Sequence, residues 1–237
     1  MKILAFDSSA VSASVALVED GKLLGETYLN VGLTHSATLM PMTQQLLQAS
    51  DCKLEDIDAL AVSAGPGSFT GLRIAVSCVK GIAAALDKKC IAVSTLEAMA
   101  YNLLPTGEYT ICAVMDARCK QFYNALFKVQ NGEITRLCDD RAIMVDKLGE
   151  ELKNISGDII LVGDGAALAY SLIGDENENV KLSPDNQRFQ KASSVAAAAI
   201  KKYNNNETIS AAALMPSYLR LSQAERELIA KNKGEKK

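Results

Sequence analysis

Short apolar runs separated by turn residues dominate the first part of the chain. Residues 3–6 form one such run, which ends at Asp7, and residues 12–18 form a second run that is followed by Asp20-Gly21. Asp-Gly between two apolar runs is a strong signal for a tight hairpin. The pattern therefore predicts two strands joined to a third, which returns over residues 22–29.

Helices and strands alternate after the third strand. The predicted elements are, in order, a helix at 34–50, a strand at 59–64, a small-residue helix that ends near residue 86, a strand at 90–93 and a helix capped by Ser94 that ends near residue 104. Pro105-Thr106-Gly107 then interrupts the pattern. Proline and glycine in close succession favour a boundary, so we predict a first lobe at 1–104 and a second lobe at 105–237.

The second half of the chain repeats the order of the first. Its predicted elements are strands at 110–115, 122–129 and 133–138, a helix at 145–152, a strand at 158–162, and helices at 166–172 and 193–203. Asp116 ends its strand as Asp7 does, and Asn131-Gly132 supplies the hairpin turn. Two similar βββαβα lobes predict an α/β protein with the duplicated fold of actin, Hsp70 and sugar kinases. A closing helix at 222–231 is predicted to pack back on the first lobe.

Composition and charge are those of an ordinary globular protein. The 237 residues are 49% hydrophobic and 22% charged, with a formal net charge of −3. Only residues 231–237 are markedly basic, so direct binding of nucleic acid is not predicted. No apolar run reaches the roughly 20 residues of a membrane span, and no leader is evident, so we expect a cytoplasmic protein without membrane contact. The six scattered cysteines predict buried thiols rather than disulfides or a metal site.

The ends of the two leading strands are candidate nucleotide contacts. In this fold a nucleotide normally lies between the lobes, and members that hydrolyse it carry Asp-x-Gly-x-Thr after the first strand. Here Asp7 is followed by Ser8-Ser9-Ala10-Val11, and Asp116-Ala117-Arg118 also lacks the glycine. Asp7 could orient a metal-bound water, or it could end the strand and bond the local turn. We therefore predict no catalytic residue, and we expect ATP to bind only weakly or within a complex.

Two glycine-containing stretches follow predicted strands. The more distinctive is Gly65-Pro66-Gly67-Ser68-Phe69-Thr70-Gly71-Leu72-Arg73. Its glycines permit close backbone approach, which fits a phosphate or partner loop, or simply a turn before a helix cap. No lysine follows them, so the stretch is not a Walker motif. Gly163 and Gly165 are weak candidates for an adenosine contact, although a strand-to-helix turn explains them more simply.

The chain has a single histidine, His35. A zinc protease motif and any other site that needs two imidazoles are therefore excluded. A Ser-His-Asp triad would need His35 as its base, and no nucleophile elbow is present. We expect His35 to begin a helix or to lie at an interface.

Five stretches in order along the whole chain resemble the TsaB (YeaZ) family of tRNA threonylcarbamoyladenosine biosynthesis proteins. They are Ile3-Leu4-Ala5-Phe6-Asp7-Ser8-Ser9, Thr34-His35-Ser36-Ala37-Thr38-Leu39-Met40-Pro41, Gly65 to Arg73, Asp116-Ala117-Arg118 with Tyr123, and Pro216-Ser217-Tyr218-Leu219-Arg220. The resemblance implies a paralogue of the catalytic TsaD transferase, which is expected to hold a metal partly through a His-x-x-x-His pair. Thr95 and Met99 stand at the matching positions, and their side chains cannot replace paired imidazoles.

The resemblance also implies partners. A TsaB-type protein is expected to be a non-catalytic subunit that binds a TsaD-type transferase, with a TsaE-type ATPase in the same complex, and to form homodimers through similar surfaces. Contact with tRNA is expected only indirectly. Both pairings use first-lobe helices, and we expect an exposed, partner-facing set at Leu39, Met40, Thr43, Leu47, Leu72, Val76 and Val79. The same residues could instead fill the core. A nucleotide-dependent small-molecule kinase of this fold and a peptidase are the alternative functions.

Overall fold

The computed structural model describes residues 1–103, 105–174 and 177–220. The first half contains β1 (Lys2–Asp7), β2 (Ala13–Glu19), β3 (Lys22–Leu29), α1 (His35–Ala49), β4 (Ala59–Gly65), α2 (Phe69–Leu86), β5 (Lys89–Ser94) and α3 (Thr95–Ala100). The second half contains β6 (Tyr109–Asp116), β7 (Gln121–Gln130), β8 (Glu133–Arg136), β9 (Arg141–Met144), α4 (Val145–Lys153), β10 (Ile159–Val162), α5 (Ala166–Ala169), β11 (Val180–Leu182), α6 (Asp185–Arg188) and α7 (Ala192–Asn204). The closing helix predicted at 222–231 lies outside the described residues.

The two halves build sheets of the same strand order. The first sheet runs β3-β2-β1-β4-β5, and the second runs β11-β10-β6-β7-β8, with β9 also paired to β7. In each sheet the leading strand pairs antiparallel with the next strand and parallel with the strand that follows the first helix. The duplicated α/β fold is therefore present. Each sheet has a fifth strand beyond the βββαβα plan: β5, which the sequence predicts at 90–93, in the first sheet and β11 in the second.

Both predicted hairpin turns are confirmed. Asp20 and Gly21 have φ of 49° and 82°, and Asn131 and Gly132 have φ of 54° and 79°. Two successive positive φ values match the right-handed twist of the flanking strands, which is why Asp-Gly and Asn-Gly are the favoured sequences.

The elements stack in layers. Helices α1 and α2 cover one face of the first sheet, where Leu4, Phe6 and Leu60 are fully buried. Its other face packs against α7, whose inward positions are mostly alanines that let the helix lie close to the strands. Helix α3 joins the core on the inner face of the second sheet, and α4 and α5 cover the outer face of that sheet. The ends of β1 and β6 are thereby brought to opposite sides of one cleft.

Helix α7 packs on the sheet of the other half of the chain from the one that its position in the sequence suggests. It follows the second sheet in the chain, at residues predicted to belong to the second lobe, but it packs on β1 and β2 of the first sheet. The division at residues 104 and 105 stays a prediction. Two short strands, β9 and β11, were not predicted, because four and three residues give too little alternation to distinguish them from loop.

Helix α2 is long and apolar enough, by length and composition alone, to cross a membrane. In this structure one of its faces, including Leu72, Ala75 and Val79, is buried against the first sheet. The same composition is typical of a core helix, so its apolar character follows from packing. All six cysteines are free; Cys90 and Cys112 are buried and Cys119 is exposed.

Candidate functional site

A cleft of about 650 Å³ lies between the lobes. Its first-lobe wall is the loop after β1 and the N-terminus of α2, and its second-lobe wall is the end of β6 and the turn after β10. The lining residues are Ser9, Ala10, Val11, Gly67, Ser68, Phe69, Thr70, Met115, Asp116, Ala117, Arg118, Tyr123, Asp164 and Arg220. The structure thus brings together the two strand ends and the glycine-rich stretch that the sequence analysis singled out.

Asp7 does not line this cleft. Its carboxylate is buried and accepts hydrogen bonds from the Ser9 amide and hydroxyl at 2.9 and 2.8 Å and from the Ser63 hydroxyl at 2.5 Å. Burial raises the pKa of Asp7 above its ordinary value, although the hydrogen bonds from Ser63 and Ser9 act in the opposite direction. The side chain closes the turn after β1, which corresponds to the second of the two roles considered from the sequence.

The glycines of the motif face backbone atoms of the same chain. A Cβ on Gly67 would lie 2.5 Å from the Ser9 carbonyl oxygen, and one on Gly71 would lie 1.9 Å from that of Ser8. The loop is further fixed by the Ser68 amide, which donates to the Ser9 carbonyl at 2.7 Å. The close approach that these glycines permit is therefore used to join α2 to the loop after β1.

Gly65 serves a second backbone contact. It has φ of +138°, and a Cβ there would lie 2.1 Å from the Ser217 carbonyl oxygen, while the Ser217 amide donates to the Ala64 carbonyl at 2.7 Å. Two stretches that carry the family resemblance, 65–73 and 216–220, are therefore in direct contact. Sequence reasoning singled out both but did not predict that they meet.

Residues 209–220, which we call the strap, connect the lobes. Leu214 is buried beside α2, and the Lys80 ammonium donates to the Ala212 and Leu214 carbonyls. The Tyr218 ring stacks on Phe69 at a centroid distance of 4.7 Å. The Arg220 guanidinium then donates to the Ala117 carbonyl of the second lobe at 2.6 Å. The strap closes one side of the cleft and fixes the N-terminus of α2.

Acidic side chains occupy the second-lobe wall. Asp164 accepts a hydrogen bond from the Gln190 amide at 2.8 Å, and burial, followed by the nearby charges of Asp116 and Asp7, raises its pKa. Gly163 and Gly165 flank Asp164 but do not line the cleft. A Cβ on Gly163 would lie 2.1 Å from the Val114 carbonyl oxygen, and one on Gly165 would lie 2.8 Å from the Asp116 amide. Both glycines let the turn pack on β6.

His35 is the first residue of α1, as predicted. Its Nε2 lies 2.8 Å from the Ala10 carbonyl oxygen, which ties the start of the helix to the loop after β1. His35 therefore has a structural role in positioning the start of α1, and it does not line the cleft.

Known proteins match the chain from end to end. Residues 30–230 match the TsaD family model, described as tRNA N6-adenosine threonylcarbamoyltransferase. The tRNA threonylcarbamoyladenosine biosynthesis protein TsaB of Bacillus subtilis (strain 168) is 30% identical over 98% of this chain and 100% of its own length. TsaB of Escherichia coli (strain K12) is 31% identical over 98% of this chain and 100% of its own. The chain belongs to the TsaB family.

The fold agrees with a solved structure of a TsaB-family protein. YeaZ from Pseudomonas aeruginosa superposes with a TM-score of 0.76 at 26% identity, over 92% of this chain and 99% of that chain. The similarity in structure and the similarity in sequence therefore cover the same full-length unit of both lobes.

In this member of the TsaB family, α3 contributes to the core. Met99 is fully buried among Leu96, Ala100 and residues of the second sheet. The Thr95 hydroxyl is buried without a hydrogen-bond partner. Within 1–103, 105–174 and 177–220, no group of three or more His, Cys, Asp or Glu side chains could hold a metal ion.

The predicted partner-facing set is wrong for six of its seven residues. Met40 is 42% exposed, but the other six side chains are buried in the core of the first lobe: Leu39, Thr43, Leu47, Leu72, Val76 and Val79. Helices α1 and α2 each pack one apolar face on the sheet, and these residues form that face. The residues that α1 and α2 of this chain expose are instead mostly small or polar, including Gln44, Ser77 and Gly81.

Proposed function

We propose that this chain is a non-catalytic subunit of the machinery that forms threonylcarbamoyladenosine on tRNA, where it supports a TsaD-type transferase. The observation that carries the proposal is the match to TsaB proteins over 98% of this chain and their full length. A match of this extent covers both lobes and the strap, so the proposal concerns the whole molecule. Work on tRNA also fits a cytoplasmic location.

The chemistry of the cleft supports a non-catalytic role. The Asp7 carboxylate is buried and accepts hydrogen bonds from Ser9 and Ser63, so it is not free to orient a metal-bound water in the cleft. Apolar packing surrounds Met99, where the resemblance places a metal-binding histidine of the transferase. A thioether and a threonine hydroxyl are poor substitutes for imidazole as ligands. Transfer of the threonylcarbamoyl group is therefore assigned to the partner.

The outer surface of α1 and α2 is the proposed site for the transferase. On α1 it presents Met40 and Gln44, and on α2 it presents Ser77, Gly81 and Ala84. Apart from the backbone of α2 itself, no atom of the described residues lies within 4 Å of the position of a Cβ on Gly81, so a partner helix could approach α2 closely there. A second copy of the chain would use the same surface, which makes homodimer and transferase complex mutually exclusive. A TsaE-type ATPase joins the assembly, and tRNA is contacted through the transferase.

Binding to a purified TsaD-type transferase tests the proposed surface. Ser77→Arg places a long charged side chain on the exposed face of α2 and should weaken the complex at least tenfold in a calorimetric titration. Thr135→Arg, on the exposed side of β8 in the second lobe, is the matched control and should bind as the parent does. Equal affinity for both variants would remove α2 from the interface. ATP turnover by the isolated chain, measured in parallel, would instead favour a kinase of this fold.

A further inference from the structure

Three elements lie side by side over one face of the first sheet. Helix α1 covers β2 and β3, and α2 covers β4 next to it. The strap begins beyond them, where the Ile209 amide donates to the carbonyl of Cys90 in β5 at 2.9 Å. Because β5 is the edge strand on that side, the strap flanks α2 on the side away from α1.

The strap follows α2 from its middle back to its start. The Lys80 ammonium, in the middle of the helix, donates to the Leu214 carbonyl at 3.0 Å. The Phe69 ring, at the first residue of the helix, stacks on Tyr218. Lys80 and Phe69 are about 16 Å apart along the helix axis, so the strap widens the surface of α2 over most of its length.

This three-part surface is nearly free of charged residues. Neither α1 nor residues 209–219 of the strap contain any Asp, Glu, Lys or Arg, whereas these four types make up 22% of the chain. Helix α2 contributes only Arg73 and Lys80. A low content of charged residues is typical of the core of a protein–protein interface, where Tyr, Met and Arg are enriched.

The border between α2 and the strap supplies those enriched residue types. Met215 is 64% exposed and Tyr218 is 39% exposed. Arg73 is also exposed, and its Nε donates to the Tyr218 hydroxyl at 2.9 Å. Because Tyr218 already restrains the guanidinium, a partner that binds it loses less conformational entropy.

The charges indicate the kind of partner that fits. Both cations of the surface lie on α2, and Arg73 has no carboxylate partner among the described residues. In a two-fold dimer the surface would face its own copy, which offers the same cations and no carboxylate. A different protein that presents a carboxylate is therefore the better match, and the transferase of the proposed function is that protein.

We propose that the strap is the third part of the docking surface for the transferase. Met215 and Tyr218 lie in the contact, and Arg73 pairs with a carboxylate of the transferase. This inference rests on the proposed function, which uses only the outer surface of α1 and α2. It gives the strap a role in binding in addition to its contact with the second lobe.

Titration of the full-length chain against a purified TsaD-type transferase tests the strap separately from α1 and α2. Met215→Asp places a charge in the contact, and Arg73→Glu replaces the cation by an acid, so each should weaken binding by about tenfold or more. Lys22→Glu is the matched control. It makes the same charge change on β3, at the opposite edge of the sheet from the strap, and should bind as the parent does. Circular dichroism should show the parental fold for all three variants.

The dependence of affinity on salt provides a second measurement. The affinity of the parent should fall between about 50 and 500 mM NaCl, because salt screens the pairing of Arg73 with a carboxylate. Arg73→Gln removes that pair and should show a shallower dependence, whereas Lys22→Gln should keep the parental slope. An unchanged slope in Arg73→Gln would show that no carboxylate of the transferase faces this residue.

The outcomes distinguish this inference from the function on which it rests. If the parent chain does not bind the transferase, the proposed function fails. If Ser77→Arg loses binding while Met215→Asp and Arg73→Glu bind as the parent does, the function stands and the strap lies outside the interface. If the two strap variants weaken only self-association, measured by sedimentation, the strap contacts a second copy and the inference is wrong.

Discussion

Gly71 lies where the first turn of α2 packs against the loop after β1, and this close contact is possible because glycine has no side chain. The Cα of this residue approaches the Ser8 carbonyl so closely that a Cβ would lie 1.9 Å from its oxygen, while the Ser8 hydroxyl donates to the Gly71 carbonyl at 2.9 Å. The sequence singled out this glycine in a stretch that fits a phosphate or partner loop or a simple turn before a helix cap. The contact with Ser8, which is distant in the chain, gives Gly71 a packing role that the sequence alone could not show.

Substitution of Gly71 by alanine should therefore destabilise the fold. The obstructing atoms belong to backbone, which cannot rotate away, so we expect a loss of about 1–3 kcal/mol in the free energy of unfolding in urea. Gly81→Ala is the matched control on the same helix. Among the described residues, no atom outside the backbone of α2 lies within 4 Å of its Cβ position, so this change should stabilise the helix by about 0.5–1 kcal/mol. Equal effects of the two variants would contradict the packing role of Gly71.

Asp164 is predicted to give the fold a particular pH dependence. Burial raises its pKa above the ordinary value of 3.8. The folded state then binds the proton more tightly than the unfolded state, so this group's contribution to stability falls as the pH rises from about 3.8 through the raised pKa. Asp164→Asn should remove that part of the slope, measured by urea unfolding between about pH 4 and pH 7. A slope identical to that of the parent would show that the carboxylate ionises without cost.

At the scale of elements, helices α1 and α2 show what a sequence pattern leaves undetermined. The spacing of their apolar residues predicts one apolar face, and that face exists. Leu72 and Val76 were expected to meet a partner, yet they meet the first sheet. An apolar residue looks the same in the sequence whether it faces a core or an interface, so only the structure assigns it.

Arginine at Leu72 tests this assignment. Leu72 is fully buried, so Leu72→Arg would bury an unpaired charge and should cost more than about 4 kcal/mol, enough to leave much of the chain unfolded. Circular dichroism and urea unfolding measure this loss. Ser77→Arg, one and a half turns along the helix and exposed, should unfold as the parent does. A well-folded Leu72→Arg protein would contradict the placement of this side chain in the core.

The strands and hairpins of both lobes could largely be predicted, because apolar runs bounded by Asp-Gly and Asn-Gly have one good structural solution. The packing of α7 on the first sheet could not be predicted, because its alanine-rich sequence fits the inner face of either sheet. The residues that line the cleft could also be predicted only in part. Asp116 and the loop at 67–70 reach the cleft, but Asp164 enters it only because β10 pairs with β6.

At the scale of the whole molecule, the strap holds the two lobes in one arrangement. Tyr218 stacks on Phe69 and accepts a hydrogen bond from the Arg73 guanidinium at 2.9 Å, and Arg220 reaches the second lobe two residues later. The strap therefore links the N-terminus of α2 in the first lobe to the end of β6 in the second lobe.

Loss of the Tyr218 ring should loosen this connection. Tyr218→Ala removes a stacked pair and should cost about 1–2 kcal/mol, and hydrogen exchange at the start of α2 should become faster. Tyr218→Phe keeps the stack and loses only the bond from Arg73, so its cost should be about 0.5–1 kcal/mol. If both variants exchange at the rate of the parent, the strap does not restrain α2.

The central claim is that this chain supports a transferase without catalysing the transfer itself. It is tested most directly by reconstituting tRNA modification from a TsaC-type synthase, a TsaD-type transferase and a TsaE-type ATPase, with and without this chain, and by measuring threonylcarbamoyladenosine in the digested tRNA. We expect the modified nucleoside only when this chain is present, and none when this chain replaces the transferase. Equal modification without the chain, or modification in the absence of the transferase, would contradict the account.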